Sequence, residues 1–230
     1  MAFFSIGNLD ASLWPNCIYL ATFPRSGNHW VRYMLEELTG KVTGSVYCDQ
    51  DHPVHSPIIL PMGGYAPDFG YEGCREYPVF GEKFILKTHF PAMGEFQSGH
   101  IGAIRVVRNP IDSFYSYAIY EKKIQTGQYF PEALLSGYLK NFQIFQEFWD
   151  QETNLLTVRY EDLLKNQKET LIRIAEFLEI EFSDADIERV IKKYPPFGEY
   201  LKHKDHFSKK SLNKIRVALR NFLAQYEYDF

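Results

Sequence analysis

Four short apolar runs, three of them followed by stretches with helical spacing, leave this chain few folds to choose from. The first run is Cys17 to Phe23, bounded by Pro15 and Pro24, and it reads as a buried strand. Lys83 to His89, Ile101 to Val107 and Leu155 to Val158 are the other three. Between and after them the apolar period changes. Trp30, Met34, Leu35 and Leu38 fall on one helical face, with Gly40 as a stop. Further helices are predicted from Pro110 to about residue 123, from about Pro131 to Trp149, and near Lys168–Leu178, Asp184–Lys193 and Ser208–Tyr226. Buried strands alternating with helices predict an α/β fold of three layers, a central parallel sheet flanked by helices on both faces. In such a sheet, ligands bind at the carboxyl ends of the strands.

The bulk properties narrow the rest. A chain of 230 residues suits one domain, residues 1–230. At 45% hydrophobic and 23% charged it can fill a core, which argues against wholesale disorder. The formal net charge of −4 argues against a nucleic-acid partner bound by bulk positive charge. No stretch reaches the roughly 18 apolar residues of a membrane span, and the first fourteen residues do not read as a signal peptide. Three cysteines, Cys17, Cys48 and Cys74, do not form a disulfide framework, so a reducing, cytoplasmic setting is expected. Residues 41–82 are rich in Gly, Pro, Tyr and His and lack a period. They read either as an insertion over the active site or as a loop covering the sheet edge. Cys48, Asp49, Asp51, His52 and His55 crowd this region, but paired Cys-x₂-Cys spacing is absent and no metal is expected. The amphipathic segment after Ser208 packs at home or in a homodimer.

Several residues have no purely structural account. Directly after the first strand comes Pro24-Arg25-Ser26-Gly27-Asn28-His29-Trp30, then a helix. A strand, a glycine turn and a helix start make an anion site, because first-turn N–H groups and the helix dipole face the ligand. Gly27 permits close backbone approach, and Arg25 adds a forked cation. The loop is not a Walker A sequence, which weakens a kinase reading. Farther on, Asn109 is a good cap, Pro110 suits the first helical position, and Asp112 fits a capping box. Arg108, at the end of a strand, is left for a ligand. Ser116, one turn beyond Asp112, joins it in a second phosphate site. Lys87 and His89 end another strand and share a face. His89 can accept a proton from a hydroxyl, or is a satisfied structural imidazole. Tyr160 can stack on a base or pack in the core.

Together these strings resemble the PAPS-dependent sulfotransferase family, of cytosolic type with a P-loop-like nucleotide-binding fold. PAPS is 3′-phosphoadenosine-5′-phosphosulfate and PAP its product. The similarity runs from about Ile18 to the C-terminus. PRSGNHW is similar to the family's 5′-phosphosulfate loop, KTHFP to the strand bearing the catalytic His, and VVRNPIDSFYSY to the 3′-phosphate motif. RYEDLLKNQKETLIRIAEFL is similar to the YED segment and its following helix. The resemblance implies that residues Ser26, Gly27, Asn28 and His29 hold the phosphosulfate and that Arg25 stabilises the leaving phosphate. It implies that Trp30 and Tyr160 flank the adenine and that Arg108 and Ser116 bind the 3′-phosphate. His89 would be the base and Lys87 a second cation at the sulfuryl group, with no metal required. Two departures stand out. Asn28-His29 replaces the family's Thr-Thr. The family's C-terminal Arg-Lys-Gly…Gly-Asp-Trp segment is replaced by residues 200–207, where Lys202 and Lys204 either close over the 3′-phosphate or form a solvated basic patch. The expected activity is transfer of a sulfuryl group from PAPS to a hydroxyl of a small molecule or glycan. A nucleotide-dependent kinase and a non-catalytic PAP-binding module are the alternatives.

Overall fold

The computed structural model of the chain describes residues 16–41, 43–45, 58–59, 65–66, 82–91, 100–198 and 200–230. Strand β1 (Cys17–Thr22) leads through a short loop into helix α1 (Asn28–Thr39). Strand β2 (Gly44–Ser45) is followed by a two-residue pair, β3 (Ile58–Ile59) and β4 (Tyr65–Ala66), which run antiparallel. Strands β5 (Phe84–Thr88) and β6 (Gly102–Val107) precede helices α2 (Pro110–Tyr120) and α3 (Glu132–Trp149). Strand β7 (Leu155–Arg159) leads into α4 (Tyr160–Lys165), α5 (Gln167–Phe177), α6 (Asp184–Lys193), a 3₁₀ turn (Lys204–His206), α7 (Lys209–Ala218) and α8 (Arg220–Gln225).

The expected parallel sheet is present, with one more strand than the four apolar runs. Its order is β2-β5-β1-β6-β7, and every neighbouring pair is parallel. Strand alternation sorts the side chains into two cores. Tyr19, Ala21 and Phe23 join Phe84, Leu86, Ala103 and Val107 beneath α2, α3, α7 and α8. Ile18 and Leu20 join Ile85, Ile104, Val106 and Val158 beneath α1, α4, α5 and α6. Trp30, Met34 and Leu35 are buried on α1 as the spacing predicts, with Leu38 packed beside them, and Gly40 caps the helix at φ 67°. The sheet is therefore covered on both faces, as a parallel sheet requires.

Four expectations need correction. Helix α2 stops at Tyr120 rather than near residue 123, because Lys122 turns into the left-handed region at φ 57°. Arg159 to Leu163 reads in sequence as the close of the fourth strand, but the segment from Tyr160 is a helix, which buries Tyr160 and Leu163 against α1's core. The long helix predicted from Ser208 to Tyr226 breaks at Leu219, the last cap of α7 and the first of α8. Apolar spacing runs through the break, so the sequence gives no sign of it. The bend carries Phe222 onto Phe142 of α3, with ring centroids 4.9 Å apart. Fourth, the capping box expected at Asp112 does not form. The Asn109 side chain accepts from Ile111 N as a cap should, but the Asn109 N–H goes to Glu161 Oε1 at 3.0 Å.

Of the stretch predicted as an insertion, residues 41–82, the strand β2 joins the main sheet, and most of the remainder, including Cys48, Asp49, Asp51, His52 and His55, lies outside the described residues. Among the described residues, no helix is long and apolar enough to cross a membrane, and no cluster of metal-binding side chains occurs.

Candidate active site

All four sequence motifs end on the carboxyl edge of the sheet. Parallel register sets Ala21 beside Thr88, Thr22 beside Val106, and Val107 beside Arg159. The residues that follow those positions are the loop 24–29, His89, Arg108 and Tyr160. Strand β1 lies between β5 and β6, so chain connections diverge on its two sides and leave a crevice at its end.

The loop after β1 is shaped for a ligand. Gly27 sits at φ 96°, and a Cβ there would lie 2.6 Å from Cδ2 of Tyr160. Only glycine satisfies both conditions. Gly27 is also the cap of α1, and no side chain caps that helix. An α-helix leaves its first-turn N–H groups without intrahelical partners, which suits the start of α1 to an anion. Ser26 is fully buried, and its hydroxyl has no hydrogen-bond partner among the described residues. The buried Nε of Arg108 is likewise without one. Two buried, unpaired donors beside an uncapped helix start fit an anionic ligand of the phosphate type.

His89 is held with its reactive nitrogen defined. Its Nδ1 lies 2.6 Å from the Thr22 carbonyl oxygen and 3.1 Å from Thr22 Oγ1. A carbonyl only accepts, so Nδ1 carries the proton and the neutral ring keeps its lone pair on Nε2. Asn28 Nδ2 donates to the same Thr22 hydroxyl at 3.4 Å. Burial, followed by the charge of Lys87, holds the imidazole well below its ordinary value near 6.5; the Thr22 hydrogen bond opposes this, and His29 and Arg25 add to it. His89 is therefore neutral at pH 7. Lys87 is also buried, two residues away on the same strand face.

The residues of the second predicted phosphate site come together from distant parts of the chain. Arg25 Nε donates to Ser116 Oγ at 3.2 Å, and Arg108 donates from a terminal nitrogen to the Arg25 carbonyl at 2.9 Å. The two predicted phosphate motifs thus touch. Arg108 also lies over the Tyr160 ring at 4.3 Å. Arg105, one turn of strand earlier, is a useful contrast. It is buried and bonded to Asp150 at 2.6 Å and to the Tyr226 hydroxyl at 2.7 Å, so it braces the core.

Trp30 and Tyr160 are neighbours, with ring centroids 5.8 Å apart at 69°. Both are largely buried, and Phe197, 67% exposed, packs on Trp30 at 5.6 Å. Phe197 escaped the sequence reading because nothing marks a lone Phe after Pro195-Pro196 as an aromatic wall. His29 is half-buried on the first turn of α1, within electrostatic reach of His89. Lys202 stands in the turn before the 3₁₀ segment, where Asp112 and His203 both feel its charge. Lys204 takes the first position of the 3₁₀ turn itself.

Sequence reasoning also missed two supports. Thr22, in the middle of an apolar run, reads as a strand residue but orients His89. Glu161 accepts from Asn109 N and, at 2.6 Å, from the Tyr228 hydroxyl, and so ties the Arg108 turn to α4. Its place in the YED string was the available signal.

The fold and site define an α/β protein whose glycine loop, helix start and arginines gather at one sheet edge with a buried neutral histidine beside them. Comparison with known proteins makes this specific: the chain belongs to the sulfotransferase family, whose sulfotransferase domain model matches residues 15–195. Similar curated proteins include mouse Sulfotransferase 4A1, 24% identical over 197 residues, with 80% of this chain and 66% of that protein covered. Cytosolic sulfotransferase 12 of Arabidopsis thaliana is 28% identical over 204 residues, covering 78% and 61%. The chain thus spans somewhat less than two thirds of the length of these relatives. Among solved structures, mouse sulfotransferase SULT7A1 complexed with PAP is similar with a TM-score of 0.58 at 17% identity, covering 93% of this chain and 89% of that one. Retinol dehydratase, in a complex with androsterone and PAP, gives 0.59 at 15% identity, covering 91% and 81%. At these identities the structures establish the shared fold.

Proposed function

We propose that this chain is a PAPS-dependent sulfotransferase that moves a sulfuryl group to a hydroxyl acceptor by in-line transfer, with His89 as general base. One observation carries the reading: His89 is buried, neutral and hydrogen-bonded through Nδ1 to the Thr22 carbonyl, so its Nε2 is a proton acceptor at the edge where the phosphate loop opens. Bound PAPS would supply the sulfuryl group and leave as PAP. His89 takes the acceptor's hydroxyl proton as the acceptor oxygen bonds to sulfur and the bond from sulfur to the phosphate oxygen breaks. Lys87 and Arg25 stabilise negative charge on the transferred and leaving oxygens, and the N–H groups of residues 26–29 hold the 5′ end. Trp30 and Tyr160 enclose the adenine, with Phe197 extending the wall. Arg108, Ser116 and Lys202 read the 3′-phosphate, and Lys204 adds charge at its margin. Nothing in this scheme needs a metal.

The acceptor belongs to the class of small-molecule or glycan alcohols and phenols, in a cytoplasmic setting, and a homodimer is compatible with the scheme. A thermal melt tests the nucleotide half. At about 100 times its dissociation constant a ligand stabilises by about 2.7 kcal/mol, roughly 5–10 °C for a chain of this size. A shift with PAP but not with ATP and Mg²⁺ is expected. The reverse pattern would replace this reading with a kinase. Turnover of PAPS over an acceptor panel tests the catalytic half, and PAP binding without any turnover would leave a binding module.

A further inference from the structure

An acid at the third position of a helix usually folds back onto its own cap. Here the Asn109 N–H is already taken by Glu161, and Asp112 faces the other way. Asp112 Oδ1 accepts the His203 N–H at 3.1 Å, and the Leu201 N–H also acts electrostatically on this carboxylate. Leu201 adopts the left-handed region at φ 53°, in the tight turn that delivers the His203 N–H to this carboxylate. Lys202 lies between them and is exposed. The His203 ring stacks on Tyr115 at 4.4 Å, so the turn is seated on α2 by a second contact. Arg108 and Lys202 both act electrostatically on Asp112 and on His203, which places the two cations around one tether. Asp112 is 1% exposed, and burying a carboxylate is costly unless its hydrogen bonds are retained.

We propose that Asp112 is a positioning residue for nucleotide recognition: it pins the turn of residues 200–203 onto α2 so that Lys202 and Arg108 bear together on the 3′-phosphate. The inference rests on the reading of Arg108 and Lys202 given above. Its electrostatics make it testable, because the two accounts of Asp112 predict opposite signs. Removing a negative charge near Arg108 strengthens phosphate binding if charge alone matters. It weakens binding if the carboxylate's role is to hold Lys202 in place.

The experiment is calorimetric titration of the full chain with PAP and with adenosine 5′-monophosphate, which lacks the 3′-phosphate. The ratio of the two affinities isolates that phosphate. Asp112→Ala is expected to lower the ratio about tenfold, the scale of one charge-assisted hydrogen bond. Asp112→Asn, which keeps an accepting oxygen, is expected to retain it. Lys202→Ala is expected to lower the ratio, and the Asp112→Ala/Lys202→Ala double variant to lower it no further than Asp112→Ala alone. An unchanged or raised ratio in Asp112→Ala, or losses that multiply in the double variant, would overturn the proposal. If Asp112→Ala does not fold, Lys202→Ala decides, since an unchanged ratio there removes the cation that Asp112 is said to hold. A wild-type chain that binds both nucleotides equally would instead defeat the 3′-phosphate reading itself.

Discussion

The two halves of the site hold charge in opposite ways. On the β5 side, His89 and Lys87 are each only 8% exposed, and the imidazole is fixed by a backbone carbonyl of the neighbouring strand. On the α2 side, Arg25 and Lys202 are exposed, Arg108 and Ser116 are half-buried, and the contacts are side chain to side chain or to loop carbonyls. The difference suits the work proposed for each half. A general base must be neutral and aimed, which desolvation and a single fixed hydrogen bond provide. An anion clamp gains from many forked donors and tolerates water, because charge-assisted bonds remain favourable when partly solvated.

The sharpest way to break this comparison is on the buried side. His89→Ala should lower turnover about 10²–10⁴-fold, the usual span for a lost general base, while PAP affinity stays near wild type. Retained turnover would remove the base from the buried half. The same residue makes a pH prediction. Its folded pKa is depressed, so the unfolded chain binds more protons as pH falls below about 6.5. Stability contributed by the neutral ring is present above that value and is lost on acidification toward the folded pKa. The acid limb of the rate profile should lie below pH 6.5, measured by initial rates at saturating PAPS. His203, pushed down to about 4 by burial and then by Arg108, Lys202 and His206, adds a loss of the same sign between about 6.5 and 4.

On the exposed side, Arg108→Ala should weaken PAP binding by about 10–100-fold, as expected for lost hydrogen bonds to a charged group. Adenosine 5′-monophosphate should be affected far less, and equal losses would mean that Arg108 does not read the 3′-phosphate. Gly27→Ala tests the joint between the halves. A left-handed backbone with a side chain costs about 1–2 kcal/mol, and the new Cβ would press on Tyr160. The melting temperature should fall by roughly 2–8 °C, with PAP binding impaired. The smallest effect is expected from Thr22→Val, which removes one hydroxyl hydrogen bond to His89 but leaves the carbonyl. Turnover should fall only about fivefold, with unchanged PAP affinity. A larger fall would move the orienting role from the carbonyl to the hydroxyl.

Much of this was legible in advance. The strand after Pro15, the loop with Gly27, the helix face of Trp30, Met34 and Leu35, and the Asn109-Pro110 helix start are local signals, set by side-chain period, cap chemistry and backbone sterics. Arg108 stood out because its neighbours had structural explanations and it did not. The breaks in the pattern came from partners far along the chain. Asp112 satisfied a capping rule locally, yet Glu161, 52 residues beyond Asn109, claimed the cap's N–H and released Asp112 for His203. The helix after Ser208 bends because Phe222 finds Phe142, which no periodicity reports.

The sequence by itself determined the layered α/β architecture, the glycine loop and the residue types able to bind an anion or take a proton, since these depend on contacts within a few residues. Only the tertiary structure decided which nitrogen of His89 is protonated, that Arg25 meets Ser116, and that Asp112 holds the His203 N–H of the turn carrying Lys202. Those properties belong to pairs of atoms brought within hydrogen-bonding distance by the register of a parallel sheet, and a residue's identity does not encode its distance from a partner 67 or 91 positions away.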